Sequence, residues 1–115
     1  MSSRPVVSLL EDILERIERI LRFTRDRDLA AFRTDEQLTD AVIRNLEVIG
    51  EAAWRLPKTF TTDHAEIPWP LIVGLRHRIV HEYFDVDVDL VWEIVARELL
   101  PLRDALGKLL SELSS

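Results

Sequence analysis

The stretch VVSLLEDILERIERIL, residues 6–21, decides the fold class of this chain. Its apolar residues recur at the spacing of one helical face and its charged residues occupy the opposite face, which is typical of an amphipathic helix packed on a core. The apolar face is formed by Val7, Leu10, Ile13, Leu14, Ile17, Ile20 and Leu21. The pattern predicts a first helix from near Pro5 to near Thr24, followed by a polar turn at residues 25–28.

A second helix is predicted between Thr34 and Pro57. Thr34 and Gln37 have the spacing of a capping box, and Pro57 ends the pattern because proline lacks the amide hydrogen that a helix needs. Asn45 falls within the apolar face, so it is predicted to be buried and hydrogen-bonded. A separate charged stripe fits either a ladder of exposed ion pairs or the edge of an interface or site. Its members are Arg44, Glu47, Glu51 and Arg55.

Beyond an irregular stretch at residues 58–70, two further helices are predicted. The third begins near Pro70 and bends or frays near residues 81–84. Its packing residues are Leu71, Ile72, Leu75 and Ile79. The last helix spans residues 91–113, with a kink at Pro101.

Residues 85–89, Asp-Val-Asp-Val-Asp, alternate like a β-strand. Because no partner strand is predicted, the segment is interpreted as a connector that caps the last helix. A calcium loop does not fit, since Leu90 stands where that loop needs glycine and Ala96 where it needs glutamate.

The composition agrees with one helical domain. The chain has 115 residues, of which 47% are hydrophobic and 31% charged, with three glycines and five prolines. Four long helices and one short helix therefore predict an all-α, up-and-down bundle in a single domain, residues 1–115.

Charge and residue types exclude several functions. The chain has no cysteine, which excludes disulfides, thiolate metal sites and cysteine nucleophiles and is compatible with a cytoplasmic protein. No apolar run approaches the roughly 18–20 residues of a membrane span, so no membrane association is predicted. The net charge of −6 counts against a general nucleic-acid binder, so any RNA contact must depend on a local cluster of positive charge.

Such a cluster is Arg76-His77-Arg78-Ile79-Val80-His81-Glu82-Tyr83, which holds two of the three histidines and the only tyrosine. Guanidinium groups bind phosphate through paired N–H donors, and imidazole transfers protons near neutral pH. These groups together suit chemistry on a phosphodiester. The same pattern also fits the charged face of an ordinary helix, and Arg78 has Glu82 at the spacing of an intrahelical ion pair.

Helical geometry leaves two arrangements open. At about 100° per residue, Arg76 and His81 lie about 140° apart and cannot converge on one phosphate. Either the helix distorts near His81, or a second copy of the chain completes the site. His77 and His81 share a face, but Arg78 follows His77 where a zinc-binding H-E-x-x-H helix has glutamate. Neither a metal nor a cofactor is predicted.

The pattern Arg76-x-x-x-x-His81-x-Tyr83 resembles the R-x-x-x-x-H-x-Y signature of HepT-like toxins, a branch of the HEPN ribonucleases. The resemblance extends over nearly the whole chain, because further matching segments follow in order. They are residues 10–13, 41–52, 67–69, 74–76, 81–84 and 91–92. One departure is His77, which stands where the family usually has asparagine.

The resemblance implies an all-α HEPN bundle that forms a homodimer, with two motifs meeting in an interfacial cleft. It also implies metal-independent cleavage of cellular RNA, such as tRNA or mRNA, by the toxin of a type II toxin–antitoxin system. Arg76 and His81 match the catalytic residues of the family. Tyr83 matches the tyrosine that a cognate nucleotidyltransferase antitoxin, MntA, modifies with AMP. His77 and Arg78 are predicted to bind RNA.

In this reading His81 acts as general base on a ribose 2′-hydroxyl or as general acid on the leaving 5′-oxygen. Arg76 stabilises charge that develops on the phosphate. The competing hypothesis is a non-catalytic HEPN dimer that serves as antitoxin or regulatory partner of a nucleotidyltransferase. For Tyr83, the alternative to an AMP acceptor is a packed aromatic side chain at the helix end.

Overall fold

The computed structural model describes residues 5–82 and 85–114. Within these ranges the chain forms eight helices and one two-stranded antiparallel sheet. In chain order they are α1 (Val6–Thr24), α2 (Leu29–Thr34), α3 (Glu36–Trp54), α4 (Lys58–Asp63), α5 (Trp69–Val73), α6 (Leu75–Ile79), β1 (Val80–Glu82), β2 (Asp85–Val86), α7 (Val88–Arg97) and α8 (Leu99–Ser114). The prediction of an all-α bundle is confirmed. No helix in the described ranges is long and apolar enough to cross a membrane.

Helices α1 and α3 form the centre of the bundle. α1 packs along α3 and also contacts α8, and its bounds agree with the prediction. The buried face of α1 is centred on Leu9, Ile13 and Ile17, whereas Val7, Leu14 and Leu21 are only partly buried. The apolar face was therefore predicted with the correct helical period, but the buried face is rotated slightly around the helix from the predicted one.

The start of α3 differs from the prediction. Asp35, not a Thr34–Gln37 capping box, caps this helix, because its carboxylate accepts a hydrogen bond from the Leu38 amide at 3.0 Å. Thr34 instead ends the unpredicted short helix α2, where its hydroxyl donates to the Ala31 carbonyl at 3.2 Å. The adjacent aspartate is thus the stronger cap, as its charge suits the positive end of a helix.

The prediction for Asn45 is confirmed. Its side chain is buried, its Nδ2 donates to the Ala41 carbonyl at 2.7 Å, and its Oδ1 accepts from Arg16 of α1 at 3.2 Å. This contact connects the two central helices through a polar pair inside the apolar face.

The prediction of a single long third helix is wrong, because the segment forms two helices of five residues each, α5 and α6, which meet at Gly74. Ile72, Leu75 and Ile79 are buried as predicted, but Leu71 is 53% exposed. Helix α6 ends at Ile79, and Val80 is already extended. Ile79 and Val80 are both β-branched, and such residues favour extended backbone over helix.

The prediction that residues 85–89 have no partner strand is also wrong. Val80 of β1 pairs with Val86 of β2, and the Asp87 amide donates to the Ile79 carbonyl at 2.7 Å. The capping role is confirmed, because Asp87 Oδ1 accepts from the Leu90 amide at 3.0 Å and so caps α7. One short segment therefore both forms a strand and caps a helix.

The predicted long last helix is interrupted, and it divides at Glu98 into α7 and α8. Pro101 lies in the first turn of α8, where it has no amide hydrogen to donate to the preceding turn. The predicted kink is thus seen as a break three residues before the proline. The break places Glu98 beside α6, which matters for the site.

Candidate functional site

The motif crosses the end of a helix. Arg76, His77 and Arg78 lie on α6, and His81 lies on β1. Tyr83, the predicted AMP acceptor, lies outside the described residues. The backbone changes conformation before His81, as the first of the two arrangements left open by the sequence requires. The separation of about 140° expected for a regular helix therefore does not apply.

Arg76 borders a groove between α3 and the α5–α6 segment. Its side chain is 62% exposed, and its Nε donates to Glu47 Oε2 at 3.3 Å. The groove has a volume of about 680 Å³, within the roughly 300–1,000 Å³ common for ligand sites. It is lined by Arg44, Glu47, Val48, Gly50, Glu51, Trp54, Val73, Arg76 and His77. Within the charged stripe, Glu51 pairs with Arg55 at 3.0 Å, as expected for exposed ion pairs, and Arg44, Glu47 and Glu51 also border this groove.

Gly50 sets the distance between the two walls of this groove. A β-carbon on Gly50 would lie 3.1 Å from the Ile72 carbonyl oxygen and 3.4 Å from that of Val73. A side chain at this position would therefore press on the backbone of α5. The glycine allows α3 to approach α5 closely, and this approach places Arg76 next to Glu47.

Arg78 has a different environment. Its Nη1 and Nη2 donate to the two carboxylate oxygens of Glu98 at 3.0 and 2.8 Å, a bidentate pair. The anticipated alternative pairing with Glu82 is not the observed one. The hydrogen bond to Glu98 raises the pKa of Arg78 above its ordinary value, against the opposing effect of burial. The structure thus places Arg78 in an ion pair between α6 and the α7–α8 junction, away from the groove.

His81 is 52% exposed and has one carboxylate nearby. Its Nε2 lies 3.7 Å from Asp87 Oδ2, which is too long for a hydrogen bond but close enough for attraction when the imidazole is protonated. The other Asp87 oxygen is occupied by the α7 cap. The sequence pattern predicted only the cap. Pairing of β1 with β2 brings the carboxylate to His81, and predicting it would have required recognising both segments as strands.

A second unpredicted ion pair connects α2 to the first turn of α7. Arg33 of α2 donates to both oxygens of Asp89 at 2.9 and 2.7 Å. The hydrogen bond from Arg33 holds the pKa of Asp89 below its ordinary value, and the same bond raises the pKa of Arg33. Asp89 is thereby engaged with α2, which leaves Asp87 as the carboxylate beside His81.

The predicted site residues therefore fall into three places. The structure brings Arg76 and His77 together in the groove, places Arg78 against Glu98, and places His81 beside Asp87. His81 is not among the described residues that line the groove of Arg76. Across residues 5–82 and 85–114, no three side chains of His, Asp or Glu form a group suited to a metal ion.

Comparison with known proteins identifies the family. The sequence model of the family described as Ribonuclease HepT-like matches residues 13–109. This chain belongs to that family. The match covers α1 from residue 13, all of α3, the groove and the complete motif of this HepT-like protein, and it confirms the resemblance drawn from the sequence.

Three relatives support the assignment. "Probable ribonuclease HepT" of Thermococcus cleftensis is 42% identical over 100 residues, which cover 87% of this chain and 91% of the relative. "Putative RNase MJ0127" of Methanocaldococcus jannaschii is 37% identical over 86% of this chain and 82% of its own. "Putative RNase TTE0752" of Caldanaerobacter subterraneus subsp. tengcongensis is 36% identical over 90% of this chain and 92% of its own. No solved structure matches the chain.

Proposed function

We propose that this HepT-like protein is a metal-independent endoribonuclease, the toxin of a type II toxin–antitoxin system, and that it cleaves cellular RNA such as tRNA or mRNA. The observation that carries the proposal is an intact R-x-x-x-x-H-x-Y motif, with Arg76 and His81 both more than half exposed. A phosphodiester can reach both side chains from solvent. Membership of the Ribonuclease HepT-like family supports the same activity.

The chemistry needs one proton acceptor, one proton donor and one cation. A neutral His81 removes the proton from a ribose 2′-hydroxyl, and the 2′-oxygen forms a bond to phosphorus. The bond from phosphorus to the 5′-oxygen breaks, and a protonated imidazole returns a proton to that oxygen. Arg76 stabilises the extra negative charge on the pentacoordinate phosphate. The products are a 2′,3′-cyclic phosphate and a free 5′-hydroxyl.

A homodimer would supply what one copy of the chain does not bring together. His81 does not line the groove of Arg76 in a single chain, and one imidazole cannot be base and acid in the same step. Two facing motifs would provide two copies of His81 and a second Arg76. We expect sedimentation at micromolar concentration to give twice the chain mass. A monomer, or a dimer whose motifs lie on opposite outer surfaces, would contradict this part of the proposal.

The proposal also includes control by a partner. An MntA-like nucleotidyltransferase would transfer AMP from ATP to the Tyr83 oxygen, forming a phosphodiester and releasing pyrophosphate. The added phosphate would occupy and repel the region where RNA phosphate binds. Intact mass spectrometry after incubation with the partner and ATP should show added AMP on wild type and none on Tyr83→Phe. Equal addition to both proteins would place the acceptor elsewhere.

The test of the main activity compares wild type with His81→Ala on purified RNA. Loss of acid–base catalysis should slow cleavage by about 10²–10⁴-fold, while circular dichroism shows an unchanged helical fold because His81 is exposed. Cleavage by wild type should persist in chelator and leave 2′,3′-cyclic phosphate ends. Equal cleavage by a folded His81→Ala protein, or its complete loss in chelator, would reject the mechanism.

One observation favours the second candidate, a non-catalytic dimer that regulates a nucleotidyltransferase. Arg76 is already paired with Glu47, so RNA must displace a carboxylate to reach it. Under this alternative wild type and His81→Ala would both leave RNA intact, and the purified chain would still bind the nucleotidyltransferase. The same cleavage assay therefore distinguishes the two candidates.

A further inference from the structure

Trp54 is a large apolar side chain that the core does not use. It is the last residue of α3, it is 66% exposed, and it lies outside the core cluster of the described residues. The other two tryptophans are packed. Trp69 is buried and donates its indole N–H to the His64 carbonyl at 2.9 Å, and Trp92 is partly buried against Phe32 with ring centroids 5.2 Å apart. Burial of Trp54 in the fold therefore does not explain its presence.

The Trp54 side chain lines two neighbouring surface grooves. On one side is the groove of Arg76 and His77. On the other side is a groove of about 670 Å³ whose lining is mostly apolar but includes one cation, Lys58. A chain of nucleotides that crossed Trp54 would thus meet a cation on both sides of an exposed aromatic ring. Alternating aromatic and cationic groups are typical of surfaces that bind single-stranded nucleic acid.

Charge alone cannot explain affinity of the Arg76 groove for a nucleotide. Its lining includes two arginines, Arg44 and Arg76, and two glutamates, Glu47 and Glu51, so these charges cancel. The whole chain carries −6. Contacts that do not depend on net charge must then provide much of the binding free energy for a nucleotide. Stacking of a base on an aromatic ring is such a contact, and every base offers a flat face for it.

We propose that Trp54 is the stacking platform for one unpaired base of the substrate, next to the phosphate held at Arg76. This inference rests on the proposed ribonuclease function and names its substrate class, which is single-stranded RNA or an unpaired loop. In a duplex both faces of each base are covered by its neighbours, so a base is free to stack on a side chain only where the strand is unpaired. Trp54 is thus assigned to substrate binding, and Arg76 and His81 to the chemistry.

A protein partner suits this surface less well. On the side of the Arg76 groove the indole is flanked by charged side chains, and the centres of protein interfaces are depleted of charge because desolvation is costly. A nucleotide offers both a flat apolar face for Trp54 and an anion for the neighbouring guanidinium. Dimerisation through Trp54 is nevertheless a distinct outcome that the experiment below detects.

The experiment measures binding of 2′-O-methyl RNA, which lacks the attacking hydroxyl and cannot be cleaved by this route. Tryptophan fluorescence should be quenched when a single-stranded oligonucleotide binds, and Trp54→Phe should remove most of the quenching. By fluorescence anisotropy of labelled oligonucleotide, Trp54→Ala should weaken binding by about five- to a hundredfold, whereas Trp54→Phe should retain most of the affinity because it keeps an aromatic face. A duplex of the same sequence should bind much more weakly than the single strand.

Salt dependence provides an independent readout. If stacking contributes much of the affinity, the slope of log K against log salt concentration should be shallow, about −0.7 for each phosphate contact and so near −1 to −2. Equal affinity of wild type and Trp54→Ala, equal binding of duplex and single strand, or a steep slope that is unchanged in Trp54→Ala would each overturn the proposal. So would a wild-type dimer that Trp54→Ala converts to a monomer, since the indole would then belong to a protein interface.

Failure of this inference is separable from failure of the proposed function. Cleavage by wild type together with unchanged binding by Trp54→Ala would reject the stacking role and leave the ribonuclease intact. Trp54-dependent binding without any cleavage would reject the ribonuclease and leave a single-strand binding site.

Discussion

The two faces of α6 carry the same residue type with opposite consequences. Arg76 and Arg78 are two residues apart, and therefore about 200° apart around the helix. Arg76 is largely exposed and makes one contact of 3.3 Å with Glu47. Arg78 is mostly covered and makes two contacts of 3.0 and 2.8 Å with Glu98. The number and length of these contacts indicate which guanidinium is available to a ligand.

The physical reason lies in what each face meets. Helix α7 ends beside α6, so Glu98 meets Arg78 with both oxygens in a partly desolvated position. Glu47 meets Arg76 at the edge of an open groove, where water and salt weaken a single long contact. Phosphate can replace Glu47 with little loss, but it would have to break a bidentate pair to reach Arg78. We therefore propose that substrate binds the Arg76 face and that the Arg78 face stabilises the fold.

The largest expected effect separates these two arginines. Arg76→Ala should lower RNA cleavage by about 10²–10³-fold, because it removes a cation from the developing phosphate charge. Arg78→Ala, the matched control, should lower cleavage much less once both proteins are compared at equal folded fraction. A larger loss of cleavage in Arg78→Ala than in Arg76→Ala, at a temperature where both variants are fully folded, would contradict the proposed difference between the two arginines.

The next prediction concerns the carboxylate beside His81. Asp87→Asn should lower the rate constant of cleavage by about five- to tenfold, since an ion contact near 4 Å is worth about 1 kcal/mol or more at a surface. Asparagine caps helices about as well as aspartate, so the melting temperature should hardly change. Asp87→Ser serves as a second capping variant without charge. Wild-type rates in both variants would limit Asp87 to its capping role.

Glu47 tests the Arg76 face from the opposite side of the groove. Glu47→Gln removes the charge that competes with phosphate, so affinity for uncleavable RNA should rise by up to about fivefold. Glu51→Gln is a useful control, because Glu51 lines the same groove but pairs with Arg55. If Glu47→Gln instead weakens RNA binding, the carboxylate orients Arg76 and does not compete with substrate.

The smallest expected effect is on stability. Glu98→Gln should lower the free energy of unfolding by about 1 kcal/mol, since it weakens a partly covered bidentate pair, and cleavage by the folded protein should be unchanged. Urea unfolding followed by circular dichroism measures the first quantity. A large loss of cleavage in fully folded Glu98→Gln would show that the Arg78 face also serves the site.

Much of the bundle and the membership of the family follow from the sequence alone. The periods of α1 and α3 predicted both helices within two residues at their starts and ends, because each has a long apolar face that packs on the other. The ordered motif predicted the family, which the comparison confirms. Asn45 was predicted correctly since a polar residue inside an apolar face must find a hydrogen-bond partner.

Tertiary structure decided the surroundings of those residues. Helix α6 stops before His81 because β1 pairs with β2. The alternating pattern of residues 85–89 was visible in the sequence, but its partner strand, residues 80–82, follows directly on a helix and was predicted to be part of it. The partners of Arg76 and Arg78 lie 29 and 20 residues away in the chain, so neither could be read from local spacing. Helical periodicity shows which face of a segment is apolar, whereas the acid that meets each arginine depends on how distant helices pack against that segment.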